Sequence, residues 1–238
     1  MSKQKNKYEK KVSWTLFDGI SERYNILNDV LSLGILSYWR KILVDLIPTK
    51  NDISILDCAT GTGEVMFSIM KKKHSKVDSI TGLDLSKNMM AIGEKKKQKF
   101  DFANKMTFQH ASATNIPYND ASFDCVTMAF GIRNVDDYRQ CLSEIHRVLK
   151  KDGKCLVMEF SLPKNKLFKS IYLFYFRYIL PYVAGAISGD IAAYKYLNET
   201  VESFPYGKTF AQIMNDQGFQ TTFKPLTFGI VTIYTGQK

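Results

Sequence analysis

The chain of 238 residues suits one α/β domain with an appendage better than two full domains. Hydrophobic residues make up 45% and charged residues 24%, which excludes a disordered or fibrous protein and allows a sizeable core. The formal net charge is +10, with lysines clustered at the N-terminus and in the runs 71–73 and 95–97. Such a surface suits anionic lipid or nucleic acid, or it is simply a solvated surface rich in lysine.

The cysteines show no pattern typical of disulfides or zinc, because they stand far apart without a CxxC pair. We interpret them as small buried hydrophobes in a reducing compartment and expect no metal site; they are Cys58, Cys125, Cys141 and Cys155. Neither a secretory signal nor a run of about 18 uncharged apolar residues is present, so we expect a cytoplasmic protein without a transmembrane helix.

Two N-terminal segments precede the alternating part of the chain. Residues 1–15 are predicted to form a basic tail, and the helical spacing of apolar residues extends to residue 47, so 1–47 is predicted to be a tail and a helical lid. Pro48 ends this pattern. From there short apolar strands are predicted at 53–56, 79–83, 106–108, 123–130 and 154–160, with helices at 65–71, 86–97 and 136–149. This alternation predicts a Rossmann-like, doubly wound and mostly parallel sheet over a domain spanning 48–238.

The alternation stops after Pro163. A helical, aromatic insert is predicted at about 163–207, followed by a helix that begins near Thr209 and ends at Gly218. Two strands follow at 219–223 and 230–235, and the loop between them is too short for a parallel crossover. We therefore expect an antiparallel C-terminal strand in the sheet.

A glycine-containing loop follows the first predicted strand, where open α/β sheets bind ligands. Asp57 lies at the end of this strand, and Gly61 and Gly63 flank Thr62, which allows a ligand to approach the backbone closely. A dinucleotide fingerprint requires a third glycine where this chain has Met66, which weakens the interpretation as a nicotinamide-dependent oxidoreductase. No Gly-Lys-Ser/Thr follows the loop, so a P-loop is excluded.

Two further segments complete a candidate cofactor site. Asp84 follows Gly63 by 21 residues at the end of the second strand, where a carboxylate can accept hydrogen bonds from two ribose hydroxyls. The alternative is that Asp84 only caps the next helix. Ser112 and Ala113 lie in the loop after the third strand, which is placed to contact an adenine edge. The candidate cofactor-binding residues are Asp57, Gly61, Thr62, Gly63, Asp84, Ser112 and Ala113.

Together these segments resemble a class I S-adenosylmethionine-dependent methyltransferase. A closer resemblance, over about residues 14–236, is to the menaquinone/ubiquinone biosynthesis C-methyltransferases. It rests on YNILNDVLS at 24–32 with Trp39, FGIRNV at 130–135, RVLKKDG at 147–153 running to EFS at 159–161, and FGIV at 228–231. The chain departs from the family's pattern at Asn25, usually Asp, at Tyr38, near a position where many members have His, and at Ala59, often Gly.

The resemblance implies S-adenosylmethionine as cofactor, contacted by Thr62, Asp84, Ser112 and Ala113. It also implies C-methylation of a polyprenylated demethylmenaquinol. A benzoquinol of the ubiquinone pathway, 2-methoxy-6-polyprenyl-1,4-benzoquinol, remains an alternative acceptor. The chain could also be an RNA methyltransferase, which its charge would suit, or a non-catalytic protein that keeps the fold. We expect no nucleic-acid partner, because catalytic motifs of nucleic-acid methyltransferases, such as an Asn-Pro-Pro-Tyr type tetrapeptide, are missing.

Four residues are candidates for acting on the acceptor. Arg133 follows the fourth strand on the ligand side of the sheet, and as a permanent cation it would stabilise a phenolate. The alternative is that Arg133 only forms a structural salt bridge. Asn134 is placed to hydrogen-bond a ring oxygen. Tyr24 and Asn28 are expected to line the acceptor pocket, because an N-terminal helix commonly covers this fold, or else to pack as ordinary helix residues.

The insert is rich in aromatic residues, which suits either an ordinary core or a channel for a polyprenyl tail. Lys169 and Arg177 would then lie at anionic headgroups while the aromatic side chains enter the membrane surface. We therefore expect peripheral membrane contact through the insert and the basic tail, and the oligomeric state, including a homodimer, stays open. The aromatic residues concerned are Phe168, Tyr172, Phe174, Tyr175, Phe176 and Tyr178.

Overall fold

A computed structural model describes residues 34–182 and 191–238 of the chain. The helices are α1 (Ile35–Asp45), α2 (Glu64–Lys73), α3 (Lys87–Lys97), α4 (Tyr138–Val148), α5 (Lys166–Phe174), α6 (Ile191–Ser203) and α7 (Lys208–Asp216). The strands are β1 (Ile53–Cys58), β2 (Val77–Asp84), β3 (Met106–His110), β4 (Phe123–Ala129), β5 (Leu149–Phe160), β6 (Gln220–Leu226) and β7 (Val231–Gln237).

The strands form one seven-stranded sheet in the order β3-β2-β1-β4-β5-β7-β6. The neighbours from β3 to β5 pair in parallel, and β7 is antiparallel to both β5 and β6. This confirms the predicted doubly wound sheet with an antiparallel C-terminal strand. The order of the strands reverses between β1 and β4, so the carboxyl ends of these two strands open a crevice where such sheets bind ligands.

Apolar residues cover both faces of the sheet, as parallel strands require. Along β1, Ile53 and Ile55 pack into one buried cluster with residues of α1 and α2, while Leu56 and Cys58 pack into the other with residues of α4 and α7. This division follows from the alternation of side chains along a strand. All four cysteines are buried and free, as expected of small hydrophobes.

The predicted helix boundaries have local causes. Ser86 caps α3 by accepting a hydrogen bond from the backbone N–H of Met89 at 3.2 Å. Asp137 caps α4 through the N–H of Gln140 at 2.9 Å. Gly218 follows α7 with φ of +94°, the left-handed conformation that a helix end commonly needs.

One strand starts earlier than the sequence predicts. Strand β5 begins at Leu149, five residues before the predicted start at Lys154. Asp152 adopts φ of +60°, and the pairing of β4 with β5 shifts register there, so the residues around Asp152 form a bulge within a longer strand. In the insert, α5 continues as a π-helical segment, Tyr175–Ile179, and α6 follows residues 183–190. Within the described ranges, no helix is both long and apolar enough to cross a bilayer.

Candidate functional site

Asp57 links the loop after β1 to the neighbouring strand. Its side chain is 1% exposed. The carboxylate accepts hydrogen bonds from the Thr60 hydroxyl at 2.7 Å and from the Thr127 hydroxyl of β4 at 2.6 Å. Burial raises the pKa of Asp57 to about 7, and the two hydroxyl groups oppose this shift. The sequence pattern predicts a role for Asp57 but not for either threonine.

The loop between β1 and α2 needs its second glycine for two reasons. Gly63 has φ of +80°, and a Cβ atom there would lie 2.8 Å from Cζ of Phe108. Gly63 is also the N-cap of α2 and provides no side-chain acceptor. A helix N-terminus whose N-cap contributes no side-chain acceptor suits an anionic group of a ligand. Thr62, just before this end, is 2% exposed.

Asp84 connects the end of β2 to the same loop. Its Oδ2 accepts a hydrogen bond from the Gly61 N–H at 2.7 Å, and its Oδ1 accepts one from the Ser86 N–H at 2.8 Å. The N-cap of α3 is Ser86, and Asp84 also binds the Gly61 N–H of the neighbouring loop. Capping of α3 is therefore not the only role of the Asp84 side chain. Burial raises the pKa of Asp84, opposed by these backbone donors. The Leu85 N–H also interacts with this carboxylate, so the three backbone donors leave room for about one further donor.

The loop after β3 lies beside Asp84, because the Ala111 N–H donates to the Asp84 carbonyl at 3.2 Å. The Ser112 hydroxyl is within 2.8 Å of the Thr114 hydroxyl and accepts a hydrogen bond from the Thr114 N–H at 3.2 Å. Ala113 is 9% exposed and packs into the core. The structure thus brings the candidate residues of three loops to one edge of the sheet.

The segment after β4 packs against the loop after β1. Phe130 adopts φ of +57°, an uncommon conformation for a bulky residue, and its N–H donates to the Met158 carbonyl at 2.8 Å. A Cβ atom at Gly131 would lie 2.5 Å from the Cβ of Ala59. The two loops therefore meet at the reversal point of the sheet, where the Ala59 side chain leaves no space for a side chain at position 131.

Arg133 forms a buried ion pair with Glu159 at the end of β5. The two side chains are 4% and 1% exposed, and Arg133 Nη1 lies 2.8 Å from Glu159 Oε1. The same nitrogen donates to the Phe130 carbonyl at 2.6 Å, and Asn134 Nδ2 lies 3.5 Å from that carbonyl. Burial raises the pKa of Glu159, and the positive charge of Arg133 opposes this shift. The salt bridge that the sequence left as an alternative role of Arg133 is therefore present.

Glu159 is not among the residues predicted for the site, although the sequence contains a signal for it. It is the one acid in the apolar run from Cys155 to Phe160, and a buried carboxylate requires a partner of opposite charge.

Aromatic rings surround this ion pair. The guanidinium carbon of Arg133 lies 5.4 Å from the ring centroid of Phe160. Phe160 packs on Phe130 at 4.6 Å, and Trp39 of α1 contacts both rings at 6.4 and 6.2 Å. The Trp39 indole donates a hydrogen bond to the Thr227 hydroxyl at 2.8 Å. Helix α1 is thus fixed over the carboxyl ends of β4 and β5. The predicted acceptor residues Tyr24 and Asn28 lie outside the described residues.

Comparison with known proteins identifies the family. The model of the ubiE/COQ5 methyltransferase family matches residues 2–238. A ubiquinone/menaquinone biosynthesis C-methyltransferase UbiE of Geotalea uraniireducens is 44% identical over 94% of each chain. A demethylmenaquinone methyltransferase of Thermotoga maritima is 40% identical over 95% of this chain and 96% of its own.

Solved structures show the same fold at lower identity. One is an S-adenosylmethionine-dependent methyltransferase of Thermotoga maritima described as a possible histamine N-methyltransferase, with a TM-score of 0.64 and 19% identity over 94% of this chain and 99% of its own. A putative S-adenosyl-L-methionine-dependent methyltransferase of Methanococcus maripaludis has a TM-score of 0.63 and 19% identity over 100% and 97%. With a family model that matches nearly its whole length, this chain belongs to the ubiE/COQ5 methyltransferase family.

Proposed function

We propose that this protein transfers a methyl group from S-adenosylmethionine to a ring carbon of a polyprenylated demethylmenaquinol. The observation that carries the proposal is the buried Arg133–Glu159 pair, which places a cation beside the crevice formed by the loops after β1 and β4. The names of the relatives, one of them a demethylmenaquinone methyltransferase, support the choice of acceptor.

The residues at the crevice fit S-adenosylmethionine. Asp84 would accept a hydrogen bond from the ribose hydroxyls with the acceptor capacity that its three backbone donors leave. Ser112 and Ala113 would contact the adenine, and the first N–H groups of α2 would bind the carboxylate. Asp57 would carry a charge opposite to that of the cofactor's cationic groups. When bound, the cofactor supplies a methyl group on a positively charged sulfur.

On the acceptor side, the protein has to make a ring carbon nucleophilic and hold it in line with the methyl group. A ring carbon becomes nucleophilic when the neighbouring hydroxyl loses its proton. A guanidinium group is a cation and a poor base, so Arg133 stabilises the resulting phenolate rather than accepting its proton. Glu159 and the Phe130 carbonyl hold the guanidinium in one orientation, so that little reorganisation is needed during the reaction.

Removal of the Arg133 cation tests this role. Arg133→Ala alone would leave Glu159 buried without a partner, at a cost of about 3–5 kcal/mol of stability. The test therefore uses Arg133→Ala together with Glu159→Gln. We expect methyl transfer to fall by a factor of about 100 or more, while S-adenosylmethionine affinity, measured by calorimetry, changes much less.

The matched control is Arg139→Ala, since Arg139 lies on α4 with its side chain 51% exposed. An equal loss of methylation rate and cofactor affinity in the Arg133 variant would contradict the role of Arg133 on the acceptor.

Quinone mass spectrometry of a strain lacking this protein tests the acceptor itself. We expect an accumulated naphthoquinone that is lighter by one methyl group. The shared name of the UbiE relatives also favours the benzoquinol alternative, and a benzoquinone lacking one methyl group would support that acceptor instead. An unchanged quinone pool with a methylated nucleoside missing from RNA would overturn both.

A peripheral membrane contact would bring the enzyme to such a lipid. Leu167, Ile171, Phe174 and Tyr178 follow one face of the insert, and their side chains are 73%, 58%, 59% and 62% exposed. Phe228, 82% exposed, extends this surface, because its ring meets that of Phe168 at 5.2 Å. An apolar surface of this kind on a protein with an excess of lysines suits the interface of an anionic membrane.

Flotation with anionic liposomes at low salt tests this contact. We expect the wild-type protein to bind, and Leu167→Ser with Phe228→Ser to weaken binding by a factor of about ten, since each apolar side chain contributes about 1.5–3 kcal/mol when fully buried and less at an interface. Tyr38→Ser is the control, because Tyr38 is exposed on α1. Absence of binding by the wild-type protein would exclude the membrane contact.

A further inference from the structure

Three polar atoms near the Arg133–Glu159 pair are buried and have no hydrogen-bond partner among the described residues. They are Nε of Arg133, the hydroxyl of Tyr172 and Oδ1 of Asn198. The Arg133 and Asn198 side chains are only 4% and 7% exposed. Buried polar atoms almost always find a partner, so such a group points to a ligand or to ordered water.

These atoms belong to one connected environment between the sheet and the insert. The Arg133 guanidinium lies over the Phe160 ring, and Phe160 faces Phe176 at 6.5 Å. The Tyr172 ring stacks on Phe176 at 5.1 Å with an interplanar angle of 22°. Asn198 donates a hydrogen bond from its amide to the Phe176 carbonyl. Phe176 therefore holds Tyr172 and Asn198 on the side of the insert that faces Arg133.

The helices of the insert explain why Tyr172 points inward. Ile171 and Phe174 of α5 are exposed, whereas Tyr172 packs with the buried residues Leu162 and Leu180. Helix α6 contacts the turn Ile132–Asn134 that contains Arg133. Burial raises the pKa of the Tyr172 hydroxyl, and the positive charge of Arg133 opposes this shift. Tyr172 therefore keeps its proton at neutral pH and remains a donor.

We propose that the Tyr172 hydroxyl donates a hydrogen bond to the ring oxygen next to the methylated carbon, as a second donor beside Arg133. This inference rests on the proposed function and deepens it. A phenolate oxygen has lone pairs for both donors, and hydrogen bonds to a charged oxygen are about twice as strong as neutral ones. Tyr172 would thus orient the acceptor ring and lower the pKa of the hydroxyl that must ionise.

Tyr172→Phe tests the inference, because it removes the hydroxyl and keeps the ring that stacks on Phe176. We expect kcat/KM for demethylmenaquinol to fall by a factor of about ten or more. The apparent pKa in the pH–rate profile should rise by about one unit, since the phenolate loses a donor. The affinity for S-adenosylmethionine should stay unchanged.

Thermal unfolding separates this role from a structural one. A hydroxyl that binds the substrate has no protein partner to lose, so the Tm of Tyr172→Phe without ligands should be equal to or above that of the wild type. Tyr206→Phe is the control, because Tyr206 packs partly buried against the same cluster and has no role in the proposed site. A fall in Tm that accounts for the loss of activity would overturn the inference, as would wild-type kinetics in the variant.

Calorimetric binding of 1,4-dihydroxynaphthalene distinguishes failure of this inference from failure of the proposed function. Weaker binding to Tyr172→Phe without methyl transfer by the wild type would support Tyr172 and contradict the proposed reaction. Methyl transfer by the wild type with equal ring binding by both proteins would overturn the inference and keep the function. A wild-type protein that does not bind the ring would contradict both.

Discussion

The carboxyl group of Asp57 is buried and shielded from water. Because burial raises its pKa to about 7, the folded protein binds a proton at this site near pH 5. In the unfolded chain the group titrates near its ordinary pKa of 3.8 and binds almost none there. The folded state therefore carries more protons between about pH 4 and pH 7, and through this group the free energy of unfolding falls as the pH rises across that range.

Asp57→Asn removes this titration and keeps a side chain that can hydrogen-bond Thr60 and Thr127. Between pH 5 and pH 8, we expect the wild type to lose about 2.6 kcal/mol of unfolding free energy relative to the variant. Urea unfolding at both pH values, without cofactor, measures it. Asp78→Asn on β2 is the control, because Asp78 is exposed. A difference that does not change with pH would contradict the expectation.

The local sequence pattern predicts only some of the residues of the candidate site. The ends of the first two strands can be predicted from apolar runs, so the positions of Asp57 and Asp84 are predictable. Thr127 bonds Asp57 across a separation of 70 residues, and Glu159 pairs with Arg133 across 26. Periodicity within a segment carries no information about such pairings. The assignment of cofactor and acceptor contacts to these residues stays a prediction.

At the scale of elements, the loops after β1 and β4 depend on each other. Ala59 occupies a left-handed conformation with φ of +53°, which costs an alanine about 1 kcal/mol relative to glycine. Its Cβ fills the space where a side chain at Gly131 would begin. The alanine in place of a family glycine is thus accommodated by the glycine of the neighbouring loop.

A double-mutant cycle measures this dependence. Gly131→Ala should destabilise the protein by about 1–3 kcal/mol, because its Cβ would meet the Cβ of Ala59 at 2.5 Å. Ala59→Gly removes that atom, so the double variant should recover at least about 1 kcal/mol beyond the sum of the single changes. Urea unfolding of the four proteins gives the coupling. Strict additivity would show that the two loops do not constrain each other.

The insert is a second element whose packing the sequence does not predict. Its aromatic and helical character is evident from composition, but the inward face is not, since both faces of α5 are apolar. Tyr172 and Phe176 pack inward and Phe174 and Tyr178 point outward. This choice depends on Phe160, which lies on a strand that the local pattern does not connect to the insert.

At the scale of the whole molecule, the alternation of strands and helices was sufficient to predict the sheet, because right-handed parallel crossovers leave few arrangements. The sheet brings three loops from separate parts of the chain to one edge. A ligand that contacts all three should therefore stabilise the complete fold.

S-adenosylmethionine at about 100 times its Kd should raise the free energy of unfolding by about 2.7 kcal/mol. Asp84→Ala should lose most of this increment, because it removes the acceptor for the ribose and releases the Gly61 N–H. Urea unfolding with and without the cofactor measures both. The exposed Asp78→Ala should retain the increment, and an equal increment in Asp84→Ala would contradict the placement of the ribose.

The position of β7 also has a consequence for biosynthesis. Among the strands of the described residues, β6 pairs only with β7, and β7 also covers the edge of β5, where Glu159 pairs with Thr232. β7 follows the other six strands of this sheet in the sequence, so β5 and β6 are made before the strand that joins them. We therefore expect β6 and β7 to join the sheet together, after residues 231–237 have left the ribosome.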